Sequence, residues 1–321
     1  MASPLVSVLI PAYNAERYVG AAVESALSQT YSNVEVVVVN DGSTDGTRDV
    51  LAGYEGRGVR VIDQPNAGQC AAANRAFHES RGELVKFFDA DDVLHPEHVA
   101  RQVERLGPRR DAVAMGEWAR FYGDDPSEAD FQPLPMYRDA DPVEWLATEW
   151  STARPMMQCA MWLVPRPILD RSGLWDERLS LINDFEFFAR VLTQADEILY
   201  APGARLSYRS GLDTSLSGRK SRAARESQVL SLLLGTQHLL ATEDSPRTRK
   251  AAATMLQDFV YDVYPEYPDL RDQVRQRVAE LGGSDLTPGG PPGFQRLRRL
   301  VGWRLARRVE RLATNRRSLG A

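Results

Sequence analysis

At 321 residues and 43 % hydrophobic composition, the chain can bury a large core and hold one large domain or one domain with an appendage. It has no run of about eighteen apolar residues, which excludes a spanning helix. The start Met1-Ala2-Ser3-Pro4 carries no basic region or cleavage signal, so a cytoplasmic protein without a secretory peptide is expected. The net charge of −5 is unevenly spread: from Phe294 onward nine arginines face one acid, Glu310, a local +8 that leaves −13 for the rest and points to a partner for the tail.

Val6 to Ile10 reads as a first buried strand stopped by Pro11, and Ala15 to Gln29 carries apolar residues at helical spacing. Val34 to Val39 is a second strand, after which Ser43 or Thr44 is expected to cap a helix. Val59 to Ile62 gives a third strand, Asn66-Ala67-Gly68-Gln69 a turn, and Cys70 to Ser80 an alanine-rich helix. The fourth strand, Leu84-Val85-Lys86-Phe87-Phe88, ends in Asp89-Ala90-Asp91-Asp92. Four alternations of strand and helix predict an α/β fold with a doubly wound, mostly parallel sheet. Neither a Gly-x-Gly-x-x-Gly turn nor a Gly-Lys-Ser/Thr loop is present, which argues against a dinucleotide fold and a nucleotide-hydrolysing loop.

The three carboxylates after the fourth strand have two readings. One is a solvated turn with Asp92 capping the next helix. The other is a site for a magnesium-like cation, which takes one or two carboxylates and leaves its other positions to water and phosphate oxygens. Lys86, inside the strand, needs a carboxylate or solvent at its tip. Cys70 and Cys159 have no metal-ligand spacing and are expected as reduced core residues. His78, His95, His98 and His238 form no ligand pattern beyond the His95/His98 pair, expected at the surface on the first helical turn after Asp92.

Beyond Leu106 the pattern loosens. Asp111 to Tyr122 reads as a strand, Gly123 to Asp141 as a proline- and acid-rich loop, Cys159 to Val164 as a strand and Pro165 to Arg171 as a short helix. Asn183 and Asp184 start a helix whose apolar face is Phe187, Phe188, Val191 and Leu192, and capping alone explains an aspartate there. Ile198 to Tyr208 looks like two short strands. Three helices follow, roughly Arg219 to Ala241, Pro246 to Val263 and Asp269 to Leu281, and then a Gly/Pro linker from Gly282 to Gly293. Phe294, Leu297, Val301, Leu305, Val309 and Leu312 recur at three and four residues, with arginines mostly on the other face. Such a helix can lie on an anionic membrane with Trp303 near the headgroups, or pack on the appendage with its arginines in water; nucleic acid is not the expected partner.

Five pieces in this order resemble family 2 glycosyltransferases: Val-Ser-Val-Leu-Ile-Pro-Ala-Tyr-Asn at 6–14, Val-Val-Asn-Asp-Gly-Ser-Thr-Asp at 38–45, Asn-x-Gly-Gln at 66–69, Asp-Ala-Asp-Asp at 89–92, and Trp-Asp-Glu through Asn-Asp-Phe-Glu-Phe-Phe-Ala-Arg at 175–190. The resemblance covers roughly residues 5 to 210 and implies a GT-A fold that takes a sugar from a nucleotide donor and inverts the anomeric centre. It divides the chain into a GT-A domain over 1–215, a helical appendage over 216–281, the linker over 282–293 and a basic tail helix over 294–321.

By the same resemblance, Pro11, Tyr13 and Asp41 match positions that hold the nucleobase and ribose. Asp89 lies near the ribose and shares the metal site. Asp91 is the ligand of a magnesium or manganese ion on the diphosphate, and Asp92 orients its neighbours or caps the helix. A carboxylate at the base accepts from the ring N–H of uracil, thymine or guanine, whereas cytosine and adenine present a bare acceptor, so a uridine or thymidine diphosphate sugar is favoured. Asp184 matches the catalytic base that takes the acceptor's proton in a single displacement. The acceptor is expected to be a saccharide, a lipid-linked saccharide at the inner face of the membrane, or a small aglycone.

Two positions depart from the family pattern. Asn183 stands where glutamate is frequent, and Ala73 where an arginine is expected. Arg75 lies two residues on, about 200° around a helix, and either reaches the donor from another angle or is a surface residue. These departures keep open a non-catalytic nucleotide-sugar binding or assembly module. A sugar-nucleotide nucleotidyltransferase would open with a glycine-rich, arginine-bearing loop, which Pro11-Ala12-Tyr13-Asn14 is not.

Overall fold

Valine-rich segments build the first half of the sheet, because β-branched side chains fit a pleated surface covered on both faces. The computed structural model describes residues 3–212 and 221–318. In it β1 (Val6–Ala12), α1 (Val19–Leu27), β2 (Val34–Asp41), α2 (Thr47–Ala52), β3 (Val59–Gln64), α3 (Gln69–Glu79) and β4 (Leu84–Phe87) alternate as the sequence predicts. All pairings among these strands are parallel, with Val6 level with Val34 on one side and Leu84 on the other. Then come β5 (Val93–Leu94), α4 (His98–Leu106), β6 (Ala112–Tyr122), α5 (Pro142–Trp150), β7 (Trp162–Pro165), α6 (Arg166–Ser172), α7 (Asn183–Leu192) and β8 (Glu197–Ser210). Among the described residues the sheet has eight strands in the order β3-β2-β1-β4-β7-β6-β8-β5. β7 runs antiparallel to β4 and β6, and β5 antiparallel to β8.

Several local expectations change. Neither Ser43 nor Thr44 caps α2; Gly46 stands at the cap, and Asp45 before it accepts from the Thr47 backbone N–H at 3.0 Å. Asp92 does not cap a helix, since β5 follows it and α4 begins only at His98. The two strands expected over 198–208 are one, β8, which pairs with β6 in two stretches; Ala201 to Ala204 bulge out between Tyr200, level with Met115, and Arg205, level with Glu117. α5 was not foreseen, although Asp141 caps it at 2.8 Å and Pro142 opens it.

The helices α8 (Arg222–Thr242), α9 (Pro246–Val263) and α10 (Pro268–Glu280) share one continuous apolar core with the sheet. The expected helix start at Arg219 and the boundary at 215/216 lie outside the described residues. The terminal helix is two: α11 (Pro292–Val301) and α12 (Trp303–Ser318), broken at Gly302, whose φ of +78° suits glycine. Trp303 is not free for headgroups, because its ring packs edge-on against Tyr261 and Tyr264, each at 4.9 Å.

Lys86 has neither a carboxylate nor solvent. It is fully buried in β4, and its Nζ donates to the carbonyls of Ala160 at 2.8 Å and Trp162 at 3.1 Å. Burial pushes its pKa down to about 7. His98, expected at the surface, is also fully buried, with Nδ1 2.9 Å from the Arg205 carbonyl and Nε2 3.2 Å from that of Ala160. Above about pH 7 the folded Lys86 is neutral while the unfolded one still holds its proton, so its penalty fades as pH rises toward 10.5. Urea melts of wild type and Lys86→Met are therefore expected to diverge across that window, with wild type gaining up to ~1.4 kcal/mol per pH unit relative to the variant. Parallel pH dependences would refute a neutral buried lysine.

Candidate active site

The order β2-β1-β4 sets the carboxyl ends of three parallel strands side by side, and these ends deliver Asp41, Pro11 and Asp89. The loops after β1 and β2 lock together: the Asn14 backbone N–H donates to Ser43 Oγ at 3.0 Å, that of Ala15 to Thr47 Oγ1 at 2.8 Å, and that of Thr44 to Asn14 Oδ1 at 2.8 Å. On this platform Tyr13 is 46 % exposed, an aromatic face offered to solvent. Asp41 is buried, and its carboxylate accepts from Gln64 Nε2 at 2.7 Å and from the backbone N–H groups of Ala67 at 2.8 Å and Gly68 at 2.9 Å. It thus shapes the turn that starts α3 and keeps about one of roughly four acceptor positions free.

Neutral amides tie the acids together. Asp89 accepts from Gln69 Nε2 at 2.9 Å and from Gln158 Nε2 at 3.2 Å. The same Gln158 nitrogen lies 2.8 Å from Asp92 Oδ2, and the other Asp92 oxygen accepts from the Arg209 backbone N–H at 2.8 Å. Asn183 Nδ2 donates to Gln69 Oε1 at 3.2 Å, which links the start of α7 to this row. The Arg209 side chain is turned away, donating to the carbonyls of Asp91 and Gly123 and lying over the rings of Tyr18 and Phe121 at 4.5 Å.

Four carboxyls thus crowd together with little positive charge among them. Burial raises Asp89, with amide hydrogen bonds pulling the other way. Asp91 is pushed up to about 7 by burial and by the charge of Asp89. Burial, then the charges of Asp91 and Asp89, raise Asp92 well above the carboxylate range. Burial and Asp89 do the same to Asp184. An excess of buried negative charge with hard oxygen donors fits a magnesium or manganese ion. Among the described residues no three His, Cys, Asp or Glu side chains form a closed ligand cage, and an ion held by one or two carboxylates with water and phosphate does not need one.

The start of α7 is held in an unusual shape. Ile182, just before it, has φ of +47°, the left-handed region that β-branched residues rarely enter. α8 supplies the restraint. Ser227 Oγ accepts from the backbone N–H groups of Ser180 at 2.8 Å and Leu181 at 3.1 Å, and Ser231 Oγ donates to the Ile182 carbonyl at 2.7 Å. Gly235 leaves no room for a side chain, since a Cβ there would stand 2.6 Å from the Phe185 ring. Further along, His238 Nε2 lies 3.0 Å from Glu186, which is buried and paired with Arg190. Arg190 also donates to the carbonyls of Ser172, Gly173 and Leu174, so it positions this helix and the loop before Trp175. Trp175 stacks on Phe187 at 3.8 Å, and with Pro11, Ala73, Asp89 and Asn183 it lines a small pocket. Asp184 is half-buried, and its carboxylate has no hydrogen-bond or ion-pair partner among the described residues.

The structure therefore brings Pro11, Asp41, Asp89, Asp91 and Asp184 around one end of the sheet, with Tyr13 at the rim. Arg75 is not brought there. It sits on the exposed face of α3 and pairs with Glu79 at 2.9 Å, because the opposite face of the helix, with Ala72, Ala73 and Ala76, is the one that packs inward. Gln158, Arg209, Ser227 and Ser231 were missed. Each lies outside the motif pieces and acquires its role only through the fold.

The sequence profile of the family described as Glycosyl transferase family 2 matches residues 7–169. The putative glycosyltransferase EpsH of Bacillus subtilis is 36 % identical over 123 residues, 38 % of this chain and 36 % of that protein. The chondroitin synthase of Pasteurella multocida is 43 % identical over 98 residues, 30 % of this chain and 10 % of that protein. The chain thus spans well under half the length of either relative. A crystal structure of S. aureus TarS 1–349 in complex with UDP-GlcNAc superposes with a TM-score of 0.69 over 86 % of this chain and 80 % of that one, at 17 % identity, a likeness of fold. With half of its length matched by the profile and its acids set at the strand ends, the chain belongs to glycosyl transferase family 2.

Proposed function

We propose that this protein is an inverting glycosyltransferase of polysaccharide biosynthesis, with residues 1–215 as its GT-A domain and the later helices as an appendage. It moves a sugar from a uridine or thymidine diphosphate donor to a hydroxyl of a saccharide, a lipid-linked saccharide or a small aglycone. The observation that carries this reading is the Asp184 carboxylate, which has no partner among the described residues and whose neighbour Asn183 is linked through Gln69 to the acid row at the end of β4. The UDP-GlcNAc complex of TarS supports the choice of base by analogy of fold.

Tyr13 offers its exposed ring to the base, and the free acceptor position of Asp41 meets a ring N–H. Asp91 and Asp89 would hold a magnesium or manganese ion, which supplies charge neutralisation for the departing diphosphate. Once the Asp89 charge is balanced, the main charge that raises Asp184 is removed and Asp184 can take the acceptor's proton. Attack from the face opposite the diphosphate then inverts the anomeric centre in one step. On this reading the enzyme works on the cytoplasmic side, peripheral to the membrane through residues 294–321.

A thermal-shift panel of UDP, dTDP, GDP and CDP, each with and without manganese, tests the proposal. Stabilisation by UDP or dTDP that depends on manganese is the expected result. If no nucleotide raises the melting temperature, the donor reading fails and a non-catalytic module takes its place.

A further inference from the structure

The two faces of α12 have different fates. Its inner face is docked: Ala306 is fully buried, Trp303 packs on Tyr261 and Tyr264, and the Arg307 guanidinium lies 4.2 Å over the Phe294 ring while donating to the Gly289 carbonyl at 2.6 Å. Its outer face is bare. Leu305 is 50 % exposed, Val309 45 % and Leu312 66 %, and at the end of α11 Leu300 is 82 % and Val301 43 % exposed. Of the seven large hydrophobics exposed among the described residues, these are five, so the apolar surface is concentrated and not scattered. Within α12, spacings of four and three residues keep Leu305, Val309 and Leu312 in line.

Arginines flank this stripe, the guanidinium groups of Arg304 and Arg308 reaching back over the rings of Trp303 at 5.5 Å and Tyr264 at 5.7 Å. Arg296, Arg299, Arg304 and Arg308 are exposed and make no ion pair among the described residues. The occupant must therefore satisfy both apolar side chains and fixed positive charge. A second copy meeting the stripe face to face would set each copy's arginines against their equivalents, which is unfavourable. An anionic bilayer satisfies both, taking the apolar residues into the headgroup–acyl boundary and phosphate groups against the guanidinium heads, whose stems extend along the surface.

Resting on the peripheral reading above, we propose that the outer face of α12, with the exposed end of α11 beside it, is a rigid docking surface for an anionic phospholipid bilayer. Because the inner face stays packed on α9 and the linker, the catalytic body is held at a fixed attitude to the lipid and not on a loose tether. The whole protein is expected to co-sediment with phosphatidylcholine vesicles containing phosphatidylglycerol, not with pure phosphatidylcholine, and less at high salt. The triple variant Leu305→Ser, Val309→Ser, Leu312→Ser is expected to bind roughly tenfold or more weakly. Its changes lie on exposed positions, so its melting temperature should match wild type. Arg304→Ala with Arg308→Ala should weaken binding and flatten its salt dependence. Wild type that stays in the supernatant with phosphatidylglycerol vesicles, or a serine variant that binds like wild type, overturns the proposal. So does a wild-type dimer in vesicle-free solution that the serine variant dissociates, because a second copy would then own the stripe. The assay needs no nucleotide, so its failure is separate from failure of the donor panel.

Discussion

Asp184→Asn is expected to lower kcat by roughly 10²–10⁴-fold, the usual contribution of a general base, while nucleoside diphosphates still raise the melting temperature as in wild type. The amide keeps the shape of the side chain and removes its capacity to take a proton. A second signature should accompany the first. Asp184 is raised well above the carboxylate range by burial and by the charge of Asp89, and its carboxylate has no partner among the described residues. An uncharged isostere relieves that burden, so the variant is expected to melt at or above the wild-type temperature. A variant that keeps its turnover would remove Asp184 from the chemistry. A variant that loses turnover and nucleotide binding together would make it a structural residue.

The second large effect is expected at Asp91. Asp91→Ala should abolish the manganese dependence of nucleotide stabilisation. The backbone there is anchored independently of the side chain, because Arg209 Nε donates to the Asp91 carbonyl at 2.8 Å. The carboxyl itself is strained by charge, pushed up to about 7 by burial and Asp89. Its loss should therefore leave the fold intact, and a thermal shift read with and without manganese isolates the metal. Asp92 is a different kind of residue, with both oxygens already engaged by Gln158 and Arg209. If Asp91→Ala still responds to manganese as wild type does, the ion is held elsewhere.

The parallel half of the sheet was legible because its valine runs are local and period-independent, and the acid row was legible because three carboxylates in four positions straight after an apolar strand need a counter-charge or water. The rest depended on distant partners. Nothing near Asp92 announces that a two-residue strand will follow it, since β5 exists only by pairing with β8. His98 looked like a surface residue because helix-start histidines usually are, and its burial comes from carbonyls at Ala160 and Arg205. Gln158 carries no motif, and it matters because the turn before β7 lays it against two carboxylates. α5 was a different kind of miss, as Asp141-Pro142 with Glu144 is a readable helix start that the acid-rich loop obscured. Arg75 failed for a geometric reason already in the sequence: two residues along a helix is the wrong face.

The serines of α8 also bear on how the protein is made. The Ile182 carbonyl finds its Ser231 partner 49 residues later in the chain, and Ser180 finds Ser227 47 residues later. A nascent chain that has already formed the parallel strands and the acid row still lacks the restraint that sets the loop before Asp184. The donor half of the site can thus be in place on the ribosome while the half that holds Asp184 waits for α8 to emerge. On the function proposed above, an unfinished chain would then be able to hold a nucleotide sugar before it could spend one.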